Sequence, residues 1–532
     1  METNYNNFNN GIGGGIISPE LSAGKQGYAV GAVICDKTMV LDVGGDFTLD
    51  DHLPDMRKLI KVDVKPTSPT KFISGGSVQL GGGVEYLATY LGSDGEIYGA
   101  SFPGEYAFTV PFDNSDAANG ISVSASVYPD SAVSRVSGAR RVNIRCRLAA
   151  DVSVVGVNEV DGGTLTAYDD HVQRLVKKSA YCNRLFGSKD DLELVSEVDT
   201  SEDGVRYISS ECRVFVESAE GGDGYVDCRG YASVKHLMSR EGGEIYTVCE
   251  KIPFSEIVEI DKLHAGSPVC VNGRCADIGL DLGGGDDFGE GKLKAIMRIC
   301  LDATAFEQNA IEYVKDVYST RKECKVSKST YRLPALLACK NGNMTFSGYN
   351  DLAQMGILSD RVSIVDVSGS ARCDKAVWDD NKYVVSGKCR FGVMYFTEDA
   401  SDTTVAECEL PFRYEFDGNE GDITHRGCAV NVINPRARCD GERMQVDCEL
   451  VISCFVLGEN EIEIVDSVRM DGDSNMARRG FTVCYPTSED TLWSIAKRYR
   501  ALVKDTAKGN GMDCSGEPDE IYLPENVKYM IV

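Results

Sequence analysis

A recurring order of strand-like segments is the feature of this 532-residue sequence that most constrains its fold. Three glycine-led segments rich in alternating apolar residues begin at Gly138, Gly291 and Gly441, so their starts lie 153 and 150 residues apart. A period of this length is far above the roughly 20 to 50 residues of solenoid repeats, and each period is therefore a domain. The sequence predicts three tandem, mainly β modules.

A second recurring pattern lies upstream of each of these segments. A Pro-Phe pair closes a hairpin-like unit in every period, at 111–112, 253–254 and 411–412. A glycine precedes the phenylalanine of each pair by 29, 24 and 25 residues, and we expect it to open the outgoing strand. These glycines are Gly83, Gly230 and Gly387.

The predicted fold class is mainly β, with three tandem β-sandwich-like modules, short connecting helices and a small α+β (βααβ) domain at the end. The connecting helices are predicted at 169–181 and 309–319, because Val172, Leu175 and Val176 share one helical face. The predicted organisation is a disordered N-terminus at 1–26, β modules at 27–165, 166–319 and 320–469, a linker at 470–479 and a last domain at 480–532.

The last domain contains the sharpest local pattern, FTVCYPTSEDTLWSIAKRYRALVKDTAKGNGMDCSGEPDEIYLP. A short strand is predicted at 481–484. The helix after it places Leu492, Ile495, Ala496 and Tyr499 on one face, and Asp490 or Thr491 is placed to cap it. A second helix at 501–508, a break at 509–511 and a closing strand at 521–524 complete a βααβ unit.

This pattern resembles the LysM domain, which has a YTV strand, a GDTLW turn, an SIAKRY helix and a closing strand. The resemblance implies recognition of N-acetylglucosamine-containing glycans, such as peptidoglycan or a chitin-like glycan, along loops equivalent to 488–493 and 510–522. The residues that it assigns to ligand or partner binding are Ser488, Asp490, Thr491, Leu492, Trp493, Asn510, Ile521 and Tyr522.

The sequence departs from the LysM pattern at several positions. Ser488 and Glu489 stand where Pro-Gly is usual, and Arg500 replaces the glycine that ends the first helix. An alternative interpretation is that Leu492, Trp493 and the other apolar residues of this helix only form the core of a small domain.

The body of the chain resembles the SPOCS domain of spore-forming Firmicutes in LPDMRKLIKVDV at 53–64, KIPFSEI at 251–257 and VKDVYS at 314–319. With the LysM end, the whole is similar to the SipL-like spore coat morphogenetic proteins. The resemblance implies a scaffold in the mother-cell cytoplasm, at the forespore surface, that docks on a SpoIVA-type protein through its LysM domain. The alternative is a peptidoglycan-binding protein of the cell wall or spore cortex.

Composition excludes several function classes. A formal net charge of −27 argues against nucleic acid or an anionic membrane as partner. No stretch approaches the roughly 20 apolar residues of a membrane span, and the N-terminus lacks a signal peptide pattern, so we predict a cytoplasmic protein without a transmembrane segment.

The 20 cysteines include no CxxC pair and are expected to be reduced core residues, although exposed thiols could cross-link an assembly under oxidising conditions.

Sequence signals of catalysis are weak. The five histidines are scattered, with no HExxH motif and no GxSxG serine, and the glycine-rich stretch at 283–293 departs from a phosphate loop at two positions and is expected to be a hairpin loop. We predict a non-enzymatic protein with no cofactor and no metal site.

Overall fold

The computed structural model of the chain describes residues 23–24, 27–113, 119–165, 171–199, 205–240, 244–281, 292–358, 361–397, 400–473, 482–513, 518–519, 521 and 529–532. The predicted disordered N-terminus lies outside these residues apart from the strand Ala23–Gly24. The glycine-rich loop at 283–293 lies outside them apart from its last two residues.

The chain is built almost entirely from strands. A two-stranded sheet joins β1 (Ala23–Gly24) to β9 (Thr164–Leu165). Module 1 contains β2 (Gly27–Thr48), β3 (Met56–Pro66), β4 (Thr70–Ser74), β5 (Ser77–Gly92), β6 (Ile97–Pro111), β7 (Asn119–Gly138) and β8 (Arg141–Asp161). Module 2 contains β10 (Val172–Asp199), β11 (Arg206–Gly221), β12 (Tyr225–Ser239), β13 (Ile245–Glu259), β14 (Val269–Asp281) and β15 (Lys292–Ser319). Module 3 contains β16 (Lys322–Asp351), β17 (Val362–Asp379), β18 (Lys382–Thr397), β19 (Ala400–Phe416), β20 (His425–Asp440) and β21 (Arg443–Asp473).

The C-terminal domain is the only described part of the chain that contains helices. Its elements are β22 (Val483–Cys484), α1 (Leu492–Arg498), α2 (Val503–Gly509) and β23 (Met530–Ile531), and β22 pairs antiparallel with β23. The mainly β fold with a small α+β C-terminal domain is confirmed. Neither helix in the described ranges is long and apolar enough to cross a membrane.

Each module consists of two antiparallel sheets with the same strand order. In one sheet the last strand pairs with both the first and the preceding one, giving the orders β2-β8-β7, β10-β15-β14 and β16-β21-β20. The other sheet is a meander around β5, β12 or β18, and in module 1 both β3 and β4 pair with one side of β5. The apolar residues of both sheets form one core in each module.

The glycine-led segments of the sequence repeat are the last strands β8, β15 and β21. In β8, Val142, Ile144 and Cys146 are buried, while Arg141 and Arg145, which alternate with them, are exposed. This period of two is typical of a strand with one face on a core.

The predicted connecting helices are wrong for the residues that the structure describes. β10 and β15 pair along almost their whole length, from Val172 opposite Ser319 to Asp199 opposite Lys292, so residues 172–181 and 309–319 are strand. The helical face that the sequence indicated is split, because Leu175 is buried whereas Val176 is exposed. Pairing with residues more than 100 positions away outweighs the local pattern here. Likewise β21 runs to Asp473, so the first four residues of the predicted linker are strand.

A glycine opposite an aromatic residue recurs in the meander sheet of every module. Gly230 pairs with Phe254 and Gly387 pairs with Phe412, as the Pro-Phe pattern indicated, but both glycines lie inside strands rather than opening them. In module 1 the equivalent pair is Gly82 with Tyr106, not Gly83 with the Pro-Phe pair. The aromatic ring lies against the glycine in each case, where a Cβ atom would come within 3.0 Å of it. The ring thus fills the space that the missing side chain leaves.

The three modules close into a ring. Strand β6 of module 1 contacts β11 of module 2, β13 contacts β17 of module 3, and β19 contacts β3 of module 1. A β-bulge in each of β3, β11 and β17 inserts one extra residue, namely Ile60, Ile208 and Val365. These three residues meet in one apolar cluster with Leu91, Leu237 and Met394 from the three neighbouring strands. The bulges therefore supply equivalent contacts to the centre of a pseudo-threefold arrangement.

Charged side chains join the modules beside this cluster. Asp366 of module 3 lies 2.7 Å from Lys235 Nζ of module 2 and 3.9 Å from Lys61 Nζ of module 1. Lys235 also pairs with Glu211. In the other sheets of the modules, Asp36 of β2 contacts Arg184 of β10 and His425 of β20, so one carboxylate there also joins all three modules. Among the residues that the structure describes, no group of three or more histidine, cysteine or acidic side chains is placed to hold a metal ion.

Candidate ligand-binding site in the C-terminal domain

Helix α1 begins at the motif that the sequence singled out. Thr491 is its N-cap, and its hydroxyl accepts a hydrogen bond from Ser494 N at 3.2 Å while Thr491 N donates to Ser494 Oγ at 2.9 Å. This reciprocal pair satisfies two backbone N–H groups at the helix start. Leu492, Ile495 and Ala496 are fully buried, so the predicted apolar face packs on the domain core.

Asp490 holds the loop before α1. This residue is 4% exposed, and its side chain accepts hydrogen bonds from Thr487 N at 2.9 Å, from Thr487 Oγ1 at 3.1 Å and from the Arg498 guanidinium. Burial alone would raise the pKa of Asp490, but the hydrogen bonds from Thr487 and Arg498 outweigh it and lower that pKa. A charged Asp490 is therefore part of the loop's structure.

The two loops that the LysM resemblance assigns to the ligand lie side by side. Leu492 N donates to Ile521 O at 3.0 Å, and Trp493 N donates to Pro518 O at 2.9 Å. Pro518 and Ile521 thus satisfy two of the free N–H groups in the first turn of α1. Thr487, Ser488 and Glu489 are exposed on the loop before α1, and we call these three residues the rim.

Asn510 has a different place. Its side-chain amide donates to Thr506 O at 2.7 Å and to Ile531 O at 2.8 Å, and its Oδ1 accepts from Ile531 N at 2.9 Å. It therefore fastens the end of α2 to β23. Its described contacts are within the domain, away from the hydrogen bonds that join Leu492 and Trp493 to 518–521.

Trp493 faces module 2. The side chain is 5% exposed, and its Nε1 donates to Asp316 Oδ2 of β15 at 2.9 Å. The indole packs edge-on against Tyr318, with ring centroids 5.0 Å apart, and the Tyr318 hydroxyl donates to Ala501 O at 2.7 Å. Leu175 of β10 completes this cluster, so the apolar core of the C-terminal domain continues into module 2.

Ion pairs surround this contact between the C-terminal domain and module 2. Asp519 lies 2.8 Å from Lys177 Nζ and 3.0 Å from Lys315 Nζ, and Lys497 Nζ lies 2.5 Å from Asp316. Burial alone would raise the pKa of Asp519, but the two lysines lower it. We call these residues, together with Trp493 and Tyr318, the docking contact.

The residues of module 2 in the docking contact were missed from the sequence. Asp316 and Tyr318 belong to VKDVYS, which was interpreted as helix, and a helix would separate two side chains that are two positions apart. In a strand the same two side chains share a face, which is how β15 presents them.

The closing strand was predicted at 521–524, of which only the first residue is described. Ile521 is not in a strand, Tyr522 lies outside the described residues, and the strand that pairs with β22 is β23, further along the chain. On the outer face of this strand pair Val483 and Ile531 lie opposite each other and are exposed, flanked by Tyr485 at 77% exposure and by Tyr529. We call these four residues the apolar strip.

Residues 487–519 match the LysM domain family. No curated protein and no solved structure matches the chain. The C-terminal domain is thus confirmed as a LysM domain, which indicates a peptidoglycan or related glycan as its class of ligand. The SPOCS resemblance of the three modules, the module boundaries and the ligand-binding roles of Ser488, Asp490, Thr491, Leu492, Trp493, Asn510, Ile521 and Tyr522 stay predictions.

Proposed function

We propose that this protein is a non-catalytic scaffold that binds N-acetylglucosamine-containing glycan, such as peptidoglycan, through its LysM domain. The observation that carries the proposal is the pair of hydrogen bonds from Leu492 N and Trp493 N to the segment 518–521. These bonds hold together the two loops that the LysM resemblance assigns to the sugar. Ser488, in the middle of the rim, is exposed and has a small side chain.

The body of three modules supports the scaffold part of the proposal. Its modules are joined both by an apolar cluster at the ring centre and by ion pairs between Asp366 and two lysines. In each module the last strand but one, β7, β14 or β20, is at the end of its sheet order. Edge strands of this kind offer backbone groups to a partner chain.

The experiment is pelleting of the full chain with insoluble peptidoglycan. We expect the wild type to pellet, soluble N-acetylglucosamine oligomers to release it, and Ser488→Trp to reduce the bound fraction by blocking the rim. Ser131→Trp, which adds the same bulk to exposed strand β7, is the matched control and should bind as the wild type does. Equal binding of the two variants would contradict a sugar site at this rim.

A second candidate is an adaptor of spore coat assembly that works in the mother-cell cytoplasm and docks on a SpoIVA-type protein through the LysM domain. Two observations favour a protein partner. The docking contact already covers Trp493, and the apolar strip exposes two tyrosines beside Val483 and Ile531. Exposed aromatic and apolar residues in one patch are typical of protein interfaces.

This candidate is tested by co-sedimentation of the full chain with a SpoIVA-type polymer. Tyr485→Ser should weaken the affinity tenfold or more, which corresponds to about 1.4 kcal/mol, and so lower the bound fraction. Tyr349→Ser removes an equally large exposed ring from β16 and should leave binding unchanged. Binding that persists in Tyr485→Ser would exclude the apolar strip as the docking surface.

A further inference from the structure

Two cysteines that are 69 residues apart meet at the contact between modules 2 and 3. Cys270 is on β14 and Cys339 is on β16, and their Sγ atoms lie 3.0 Å apart. Cys270 is buried, whereas Cys339 is half-buried and packs beside Phe306 of module 2. A disulfide has an S–S distance of about 2.05 Å, so an approach of roughly 1 Å would join the two sulfur atoms.

The backbone around the two cysteines is held in place by one side chain. Asn341 accepts a hydrogen bond from Val271 N at 3.2 Å and donates to Val269 O at 2.8 Å, so it binds the residues on both sides of Cys270. Ser453 of β21 donates to the same Asn341 Oδ1 at 2.9 Å. Because Asn341 is two residues beyond Cys339 on the same strand, this clamp keeps both thiols facing each other across the module boundary.

We propose that Cys270 and Cys339 are a modification site at which a disulfide oxidant, such as oxidised glutathione, forms an intramolecular disulfide between modules 2 and 3. In reducing conditions the pair stays a dithiol, and in oxidising conditions the bond locks β14 to β16. This role is independent of the glycan or protein ligand of the LysM domain.

The chemistry is two consecutive thiol–disulfide exchanges. The Cys339 thiolate attacks one sulfur of oxidised glutathione, which forms a mixed disulfide and releases one glutathione thiolate. The Cys270 thiolate then attacks the Cys339 sulfur of the mixed disulfide and releases the second glutathione. Two thiols are oxidised to one disulfide, one glutathione disulfide is reduced to two glutathione molecules, and the two thiol protons end on the released thiolates.

The surroundings of the pair determine its rate. Contact with Cys270 and burial both raise the pKa of Cys339, so little of its thiolate is present at neutral pH. We therefore expect slow exchange at neutral pH and faster exchange as the pH rises.

The test is a peptide map of the intact wild-type protein after incubation with oxidised glutathione under mildly alkaline, non-denaturing conditions. Free thiols are alkylated, the protein is digested without reduction, and the peptides are identified by mass spectrometry. We expect one cross-linked pair that joins the Cys270 and Cys339 peptides, with a mass lower by two hydrogen atoms than the sum of the free peptides. The intact protein should also show a higher unfolding temperature after oxidation than after reduction.

Three variants sharpen the result. In Cys270→Ser and Cys339→Ser the remaining cysteine should be recovered alkylated or glutathionylated, and oxidation should no longer raise the unfolding temperature. Cys249→Ser removes an exposed cysteine of β13 and should keep the cross-link. Recovery of both Cys270 and Cys339 as alkylated peptides from oxidised wild type, or of Cys270 linked to another cysteine, would overturn the proposal without any variant having to fold.

Discussion

Trp493 of the LysM domain donates its indole N–H to Asp316 of module 2, 177 residues earlier in the chain, over 2.9 Å. The same carboxylate binds Lys497 from the next turn of α1. One acidic side chain of the β body thus holds both a hydrogen-bond donor and a cation of α1. The tryptophan that the sequence assigned to a ligand therefore also joins the domain to the rest of the chain.

Replacing Asp316 with alanine should release the docking contact. The change leaves the buried Trp493 N–H without its acceptor, which costs about 1–3 kcal/mol. The chain has two tryptophans, so in a Trp378→Phe background all tryptophan emission comes from Trp493. When Asp316→Ala is added to this background, the emission should shift to longer wavelength and acrylamide should quench it more strongly. Asp42→Ala is the control, because Asp42 is in an exposed pair with Arg147 whose loss should cost little. Unchanged Trp493 emission in Asp316→Ala would mean that the hydrogen bond does not hold the domain.

Asp519→Asn should weaken the same contact through its lysines. The side chain of Lys177 is 9% exposed, so removing the charge of Asp519 breaks a buried ion pair and costs on the order of 3 kcal/mol. The expected result is a lower unfolding temperature by calorimetry, whereas Asp505→Asn, on the exposed side of α2, should leave it unchanged.

The pH dependence of this contact follows from the lowered pKa of Asp519. A carboxyl whose pKa is lower in the folded state stabilises the fold above its unfolded value, which is about 3.9, and that stabilisation is lost as the pH falls through the folded pKa. The difference in unfolding temperature between wild type and Asp519→Asn should therefore shrink below about pH 4. A difference that stays constant down to acid pH would exclude ionic docking.

His236 should make module 2 sensitive to mild acid. Its side chain is fully buried between Ser210, 2.6 Å from Nδ1, and Ser196, 2.9 Å from Nε2, while Glu250 binds Ser196. Burial lowers the pKa of His236, so the unfolded state takes up a proton before the folded state does. The stability that depends on neutral His236 is complete above the unfolded pKa of about 6.5 and is lost as the pH falls, at up to about 1.4 kcal/mol per pH unit.

This prediction is measured by urea unfolding at a series of pH values. His236→Gln should be less stable near neutral pH and should lose less stability than wild type towards pH 5, while His52→Gln, at an exposed position, should follow the wild type. Parallel pH profiles for wild type and His236→Gln would assign the acid sensitivity to other groups.

Gly387→Ala should strongly destabilise module 3. A Cβ atom at this position would lie 1.9 Å from Arg372 O and 2.8 Å from the Phe412 ring, so backbone and ring would both have to move. We expect a loss of about 3 kcal/mol or more, measured by denaturant unfolding. Gly279→Ala is the matched control inside strand β14, because its added Cβ would meet only Ile296 O at 3.9 Å. Similar losses in both variants would indicate that the glycine–aromatic pair has no special role.

The sequence predicted best where structure depends on neighbouring residues. The capping pattern around Thr491 and the apolar face with Leu492 and Ile495 are both local, and α1 begins and packs as expected. The recurring last strands were also predicted, because polar and apolar residues alternate over the first eight residues of β8 and β21, and with one exception over those of β15.

It failed where distant strands determine the conformation. The segments 169–181 and 309–319 are compatible with a helix by themselves, but their described residues pair with each other in β10 and β15. The same error concealed the docking contact, since Asp316 and Tyr318 share a face only in a strand. In module 1 the Pro-Phe motif matched by composition, whereas the equivalent pair by geometry is Gly82 with Tyr106.

The ring of three modules on one chain has a thermodynamic consequence. A ring of three separate subunits would dissociate on dilution, because its assembly depends on protein concentration. Here covalent linkage makes every association intramolecular, so the contact between β19 and β3 persists at any dilution. The three copies also differ in sequence: Asp316 and Tyr318 of the middle copy bind the LysM domain, and Glu323 of the third copy pairs with Arg500, so one domain is held asymmetrically by a body with threefold repetition.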